Sequence, residues 1–180
     1  ITTASDAQDS SFGSSVRNRE SAMSNMVAQM FKDTLGKDDP NFIGIQNPGG
    51  TRASLQSGEI TYKDAALVLP FANSLMTTTV TGEQFKQVLE EQWQHDEKGQ
   101  VPSRPFLSLG LSNNVSYTYD ENLPEGQRIT SVWVNGKPID PKASYTVGSG
   151  SFLINGGDNF HTLAKGSKPV DTGKVDLDTW

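Results

Sequence analysis

The hydrophobic period changes once along this chain, and that change restricts the fold more than any other feature. Between Arg17 and Leu35, the residues Met23, Met26, Val27, Met30, Phe31 and Leu35 recur at steps of three and four, the stripe of an amphipathic helix. Gly36 and the Lys-Asp-Asp-Pro run behind it stop that helix, and Phe42 to Gln46 reads as a short buried strand. Thr61 caps a short helix through Leu67, and Pro70 turns the chain out of helical geometry. Leu75 to Val80 is a strand, and Thr81 with Gln84 forms a capping box. The second helix that follows carries Phe85, Val88, Leu89 and Trp93 on one face and ends near His95. From Pro102 onward the period is two: Val115, Tyr117 and Tyr119 alternate, Ile129 to Val134 runs into the hairpin signal Asn135-Gly136, and Tyr145 to Ser149 is a further strand. Helices dominate the first half and strands the second. The expected class is α+β, a single domain with two main amphipathic helices packed on a mixed or antiparallel sheet, and not an alternating βαβ sheet.

At 180 residues the chain is long enough to bury a core without metal or disulfide support. Its 15 basic and 21 acidic residues leave a net charge of -6, which repels a nucleic-acid polymer. An anionic ligand must then be small and held by a local basic cluster. Cysteine is absent, which removes thiol nucleophiles, thiolate metal sites and disulfides. No apolar run approaches the roughly 18 residues that suggest a membrane span, and the first residues lack the pattern of a signal peptide. The polar opening, residues 1–15, reads as a linker remnant.

Three words, far apart in sequence, carry the chemistry. Asn47-Pro-Gly-Gly-Thr-Arg52 joins glycines, whose backbone N–H groups approach an anion closely, to the forked donor of an arginine. Pro70-Phe71-Ala72-Asn73 presents a ring able to stack on a base beside an amide that both donates and accepts. Phe152 opens the third word, which closes on Gly156-Gly157-Asp158, a flexible backbone beside a carboxylate suited to ribose hydroxyls. Each word has a plainer reading as well: a surface turn with a solvated arginine, a core phenylalanine, a turn aspartate. Arg17 and Arg19, at the start of the first helix, either add charge to a phosphate end or face solvent.

Several catalytic arrangements are missing. His95 and His161 have no partners at metal-ligand spacing and are expected to face solvent. Gly148-Ser-Gly-Ser does not match a nucleophile elbow, and no phosphate-binding Gly-x-x-x-x-Gly-Lys-Ser/Thr loop occurs. Asn114-Val-Ser116 fits a glycosylation acceptor, a triplet common by chance.

Taken in order, the words resemble the C-terminal domain of the 5'-nucleotidase family, which includes UDP-sugar hydrolases. Val16 to Asn25 looks like the family's lead into its first helix; Gly58-Glu-Ile-Thr-Tyr62, Thr81-Gly82 and the three words above follow at similar spacing. The resemblance implies a substrate-binding domain over residues 16–180. Phe71 and Phe152 would sandwich the base, Asp158 would hold the ribose hydroxyls, and Arg17, Asn47 and Arg52 would face the ribose and phosphate. Asn73 and Gly110 fall where the family approaches the base. Pro48, Ala72 and Ser24 stand where glycine is usual. Residues 171–180 resemble the opening of the family's final segment.

The family's hydrolytic step belongs to a separate N-terminal metallophosphoesterase domain with two divalent metal ions. This chain is therefore expected to need no cofactor of its own and to be inactive alone. It would bind a nucleoside monophosphate for an exported parent enzyme in the periplasm, outside the cell or on its surface. A non-catalytic nucleotide-binding or surface-interaction module remains an alternative, as does a hydrolase of nucleotide sugars or cyclic nucleotides.

Overall fold

The computed structural model describes residues 17–180, so the expected linker over residues 1–15 lies outside the described residues. Helix α1 spans Ala22–Phe31 and continues through a π turn, Lys32–Gly36. It begins later than the apolar stripe suggests because Ser21 is its N-cap, accepting from the Ser24 amide at 3.2 Å. Arg17 thus belongs to the segment before the helix. Strand β1 (Phe42–Gln46) is buried throughout. Thr61 and Asp64 cap α2 (Tyr62–Val68) reciprocally, and the capping box of Thr81 and Gln84 joins β2 (Ser74–Thr81) to α3 (Gly82–Glu90).

Helix α3 stops at Glu90, short of His95, because the next residues pair with another segment. The Gln94 amide donates to the Pro105 carbonyl and the Leu107 amide to the Gln92 carbonyl, both at 2.9 Å. Trp93, expected on the helix face, instead meets Phe106 edge-on at 4.9 Å. The two histidines, expected in solvent, are half-buried, and His95 Nε2 lies 3.0 Å from the Glu125 carboxylate.

The remaining elements are β3 (Gly110–Leu111), β4 (Val115–Tyr119), β5 (Ile129–Val134), β6 (Lys137–Pro138), β7 (Ser144–Gly150), α4 (Ser151–Ile154), α5 (His161–Ala164), β8 (Ser167–Val175) and α6 (Asp176–Thr179). A five-stranded sheet has the order β3-β1-β7-β2-β8, parallel only between β1 and β7. Strands β4, β5 and β6 form a small antiparallel sheet. The fold is α+β, as the change of period predicts. Strand β8 has no sequence signature: it is an edge strand, exposed along most of its length, held by backbone pairing to β2 and interrupted by Pro169.

Alternation along β1 sorts the core onto two faces. Ile43 and Ile45 pack with Phe85, Val88 and Leu89 of α3, while Met23, Val27 and Phe31 of α1 cluster with Val68, Leu69 and Leu75. Between the helical layers, parallel β1 and β7 end at the same sheet edge, and β2 starts there, with Leu75 opposite Gly150. The loops after β1, before β2 and after β7 therefore emerge side by side. Crevices beyond the carboxyl ends of parallel strands are ready-made ligand sites.

Candidate functional site

These three loops carry the three sequence words, and they enclose a cleft of about 350 Å³, a volume within the range of small-molecule sites. Arg17, Asn47, Arg52, Phe71, Asn73, Phe152 and Asp158 all line it. Gly110, the remaining expected residue, does not. It sits in β3 against α1, where an added Cβ would come within 2.4 Å of the Ser24 backbone, so the absence of a side chain there serves helix–strand packing.

The polar end is built around Asp158. Its backbone is left-handed (φ 53°, ψ 33°), as are those of Gly156 (φ 89°) and Asn159 (φ 61°). Buried Asn47 donates from Nδ2 to Asp158 Oδ2 at 2.7 Å, joining residues 111 apart in sequence. Two residues, Gln94 and Glu91, brace the far side of this loop. Asn159 Nδ2 donates to Gln94 Oε1 at 2.9 Å, and the Glu91 carboxylate accepts from both the amide and the hydroxyl of Thr162, the latter at 2.6 Å. Burial pushes the Glu91 carboxyl above its ordinary range, an effect partly offset by these Thr162 bonds.

Arg17 enters beside this end, its carbonyl accepting from the Ser108 amide at 2.8 Å. Burial lowers the pKa of its guanidinium, neighbouring Arg104 and Arg52 lower it further, and Asp158 opposes them. The group stays cationic, since a guanidinium does not deprotonate in proteins. Arg52 is exposed, donates from Nη1 to the Gly49 carbonyl at 3.3 Å, and holds its guanidinium 5.8 Å from the Phe71 ring centroid. Two cations converge on one polar end in a chain of net charge -6.

The other end is aromatic. Phe71 is 59% exposed and Phe152 is 51% exposed, so neither is the core phenylalanine of the plainer reading. Phe152 leans on the backbone of its own loop: an added Cβ at Gly157 would fall 2.5 Å from the ring. Ala72, between Phe71 and Asn73, has φ 50°, a left-handed conformation that glycine adopts without steric cost.

A larger groove, about 790 Å³, opens between α1 and β4. Several of its polar groups are already engaged in the fold. Asn25 donates to Glu20 and accepts from the Leu111 amide, Gln29 bridges Asp33 and the Asn113 amide, and the Tyr117 hydroxyl meets Gln92. The larger groove also holds a cation, a carboxylate and rings in Arg19, Glu20, Tyr117 and Tyr119. The smaller cleft has the stronger claim because two arginines, a carboxylate and two exposed phenylalanines meet there beyond the carboxyl ends of the parallel strands. Among the described residues, no three His, Cys, Asp or Glu side chains gather as a metal site. No helix of the described residues is long and apolar enough to cross a membrane.

Gln46 and Leu153 also line the cleft and were not singled out by sequence. Gln46 is legible in hindsight: a glutamine that is 4% exposed at the end of a fully buried strand must bond to something, here Thr51 Oγ1 at 3.4 Å.

The chain's similarities point to one family. It is 35% identical over 130 residues to the NAD 5'-nucleotidase of Haemophilus influenzae, covering 68% of this chain and 21% of that protein. It is 29% identical over 147 residues to an apyrase of Tabanus yao, covering 77% of this chain and 26% of that protein. The crystal structure of a 5'-nucleotidase precursor from Thermus thermophilus matches with a TM-score of 0.75 at 32% identity, over 91% of this chain and 32% of that one. The chain thus spans a fifth to a third of the length of these relatives. A sequence profile of the 5'-nucleotidase, C-terminal domain, matches residues 1–165, and the chain belongs to that family.

Proposed function

We propose that this domain binds a nucleoside phosphate and orients it for hydrolysis by a separate two-metal domain of an exported 5'-nucleotidase-like enzyme. One observation carries the reading: three words separated by up to 111 residues close on one cleft, with a cationic polar end and an exposed aromatic end. The base stacks between Phe71 and Phe152, a contact worth about 1 to 3 kcal/mol per base. Asp158, aimed by Asn47, accepts from the ribose hydroxyls. Arg17 and Arg52 face the phosphate, and Asn73 meets the edge of the base.

The domain contributes binding and orientation, which lower a barrier only when joined to the groups that activate water and stabilise the leaving oxygen. The purified chain is therefore expected to release no phosphate from AMP, even with divalent metal supplied. Calorimetric titration with adenosine, AMP and UDP-glucose tests the binding itself. Saturable binding that weakens in Phe71→Ala and Asp158→Ala supports the reading; binding that ignores both substitutions contradicts it.

The phosphate ester it serves is open to variation. The relatives are named for different activities, an NAD 5'-nucleotidase and an apyrase, and an aromatic sandwich accepts any base with a π face. A nucleotide sugar or cyclic nucleotide fits the same cleft chemistry, and the UDP-glucose titration separates these ligands from AMP.

A further inference from the structure

The loop that carries Phe71 is held from the far end of the chain. Asn73 and Asp176 are 103 residues apart, yet they bond twice: the Asp176 amide donates to the Asn73 carbonyl at 3.0 Å, and Asn73 Nδ2 donates to Asp176 Oδ2 at 3.1 Å. The second carboxylate oxygen, Oδ1, accepts from the Leu177 amide at 2.6 Å. Asp176 is 2% exposed, so this contact is made inside the protein rather than in water. The brace acts next to Ala72, whose left-handed backbone needs its neighbours to hold it.

An ionised carboxylate only accepts hydrogen bonds, so it decides which end of the Asn73 amide faces it. The NH2 group must point to Asp176. The carbonyl oxygen is then the end of the amide left for the cleft that Asn73 lines. We propose that Asp176 is a positioning residue that sets base preference: it fixes Asn73 as a hydrogen-bond acceptor, so the cleft favours a base with an N–H donor on its edge, such as the amino group of adenine. This rests on the nucleotide reading above, with the base end at Phe71 and Asn73. Burial raises the pKa of Asp176, and the bonds from Asn73 and Leu177 oppose the rise.

The test compares adenosine with purine riboside, which has the same rings and ribose but lacks the amino group, by calorimetry on the full chain. One hydrogen bond corresponds to a preference for adenosine of about five- to tenfold. In Asp176→Asn the side chain has one acceptor oxygen for two donors, so the Asn73 amide is released and the preference is expected to collapse towards one. Asp178→Asn, an exposed substitution on the same helix, is expected to leave it unchanged. Asp176→Glu keeps both oxygens one methylene further out and serves where Asp176→Asn does not fold; it is expected to lower the preference. Equal affinity of the unsubstituted chain for the two nucleosides, or full preference in either Asp176 variant, overturns the assignment. If the unsubstituted chain binds neither nucleoside, the nucleotide reading itself has failed. Nitrogen-15 spectra of the Asn73 side-chain amide then decide the positioning alone: faster proton exchange in the variants supports the brace, and unchanged exchange refutes it.

Discussion

The two ends of the cleft are prepared for a ligand in opposite ways. At the polar end, Asn47 is buried, Asp158 is tied to it at 2.7 Å, and Gln94 and Glu91 hold the loop from behind. At the aromatic end, two phenylalanines leave more than half of their surface in water. The first end has met its ordering cost during folding, so a ligand need not impose its geometry. The second end keeps apolar surface whose burial waits for a ligand. The polar end is thus suited to orientation and the two rings to affinity, with only Asn73 beside them held in place by Asp176, and substitutions at the polar end and at the rings should fail differently.

The largest effect is expected at the aromatic end. Phe71→Ala combined with Phe152→Ala removes the whole stack, about 1 to 3 kcal/mol of binding for the base, together with the apolar surface that the ligand would bury on the two rings. AMP binding by calorimetry should become too weak to measure, while the melting temperature moves little because both rings are exposed. Asp158→Ala comes next and breaks the symmetry between the ends. It removes charge-assisted bonds worth about 1.5 to 3 kcal/mol to the ligand and also strands the buried Asn47 amide, so denaturant melts should show a stability loss of about 1 to 3 kcal/mol. A variant that loses binding at Asp158 with no loss of stability would contradict the claim that this end is built in advance.

A smaller, pH-dependent effect probes the brace behind Asp158. The folded-state pKa of Glu91 is raised above its ordinary 4.5. Its contribution is therefore fully present below the unfolded value and is lost as pH rises through the folded value. Glu91→Gln removes this titration, so the stability of the unsubstituted chain relative to the variant should decline as urea melts are repeated at increasing pH above about 4.5. A flat difference refutes the burial effect. The smallest change is expected for Ala72→Gly, which relieves a left-handed alanine and adds freedom to the unfolded chain. The net gain in stability is about 0 to 1 kcal/mol, read by the same melts.

Legibility in the sequence followed burial and locality. Phe42–Gln46 and Ile129–Val134 could be read to the residue because buried apolar patterns and turn signals bound them. Both helix caps, Thr61 and Thr81 with Gln84, appear where sequence places them, because each bond reaches only three residues along the chain. Strand β8 was hidden because an exposed edge strand owes its existence to backbone pairing with β2, which leaves no apolar period. The late start of α1 turned on Ser21, whose capping bond ends the stripe's authority over residues 17–20. In the cleft, the ligand-facing side chains were visible as words, but their supports were not. Nothing local marks Asp176 as the partner of Asn73, or Gln94 as the partner of Asn159, since each bond closes only after the chain has folded. Gly110 shows the converse: a glycine demanded by packing looks the same in sequence as one demanded by a ligand.

The nucleotide is expected in the smaller cleft and not in the larger groove beside α1. A nitrogen-15 NMR titration of the chain with AMP tests this most directly, because every amide reports its own surroundings. Saturable shifts confined to residues 47–52, 71–73 and 150–158 are the predicted result. Shifts concentrated at Asn25, Gln29, Tyr117 and Tyr119, or none at all at millimolar AMP, would contradict it.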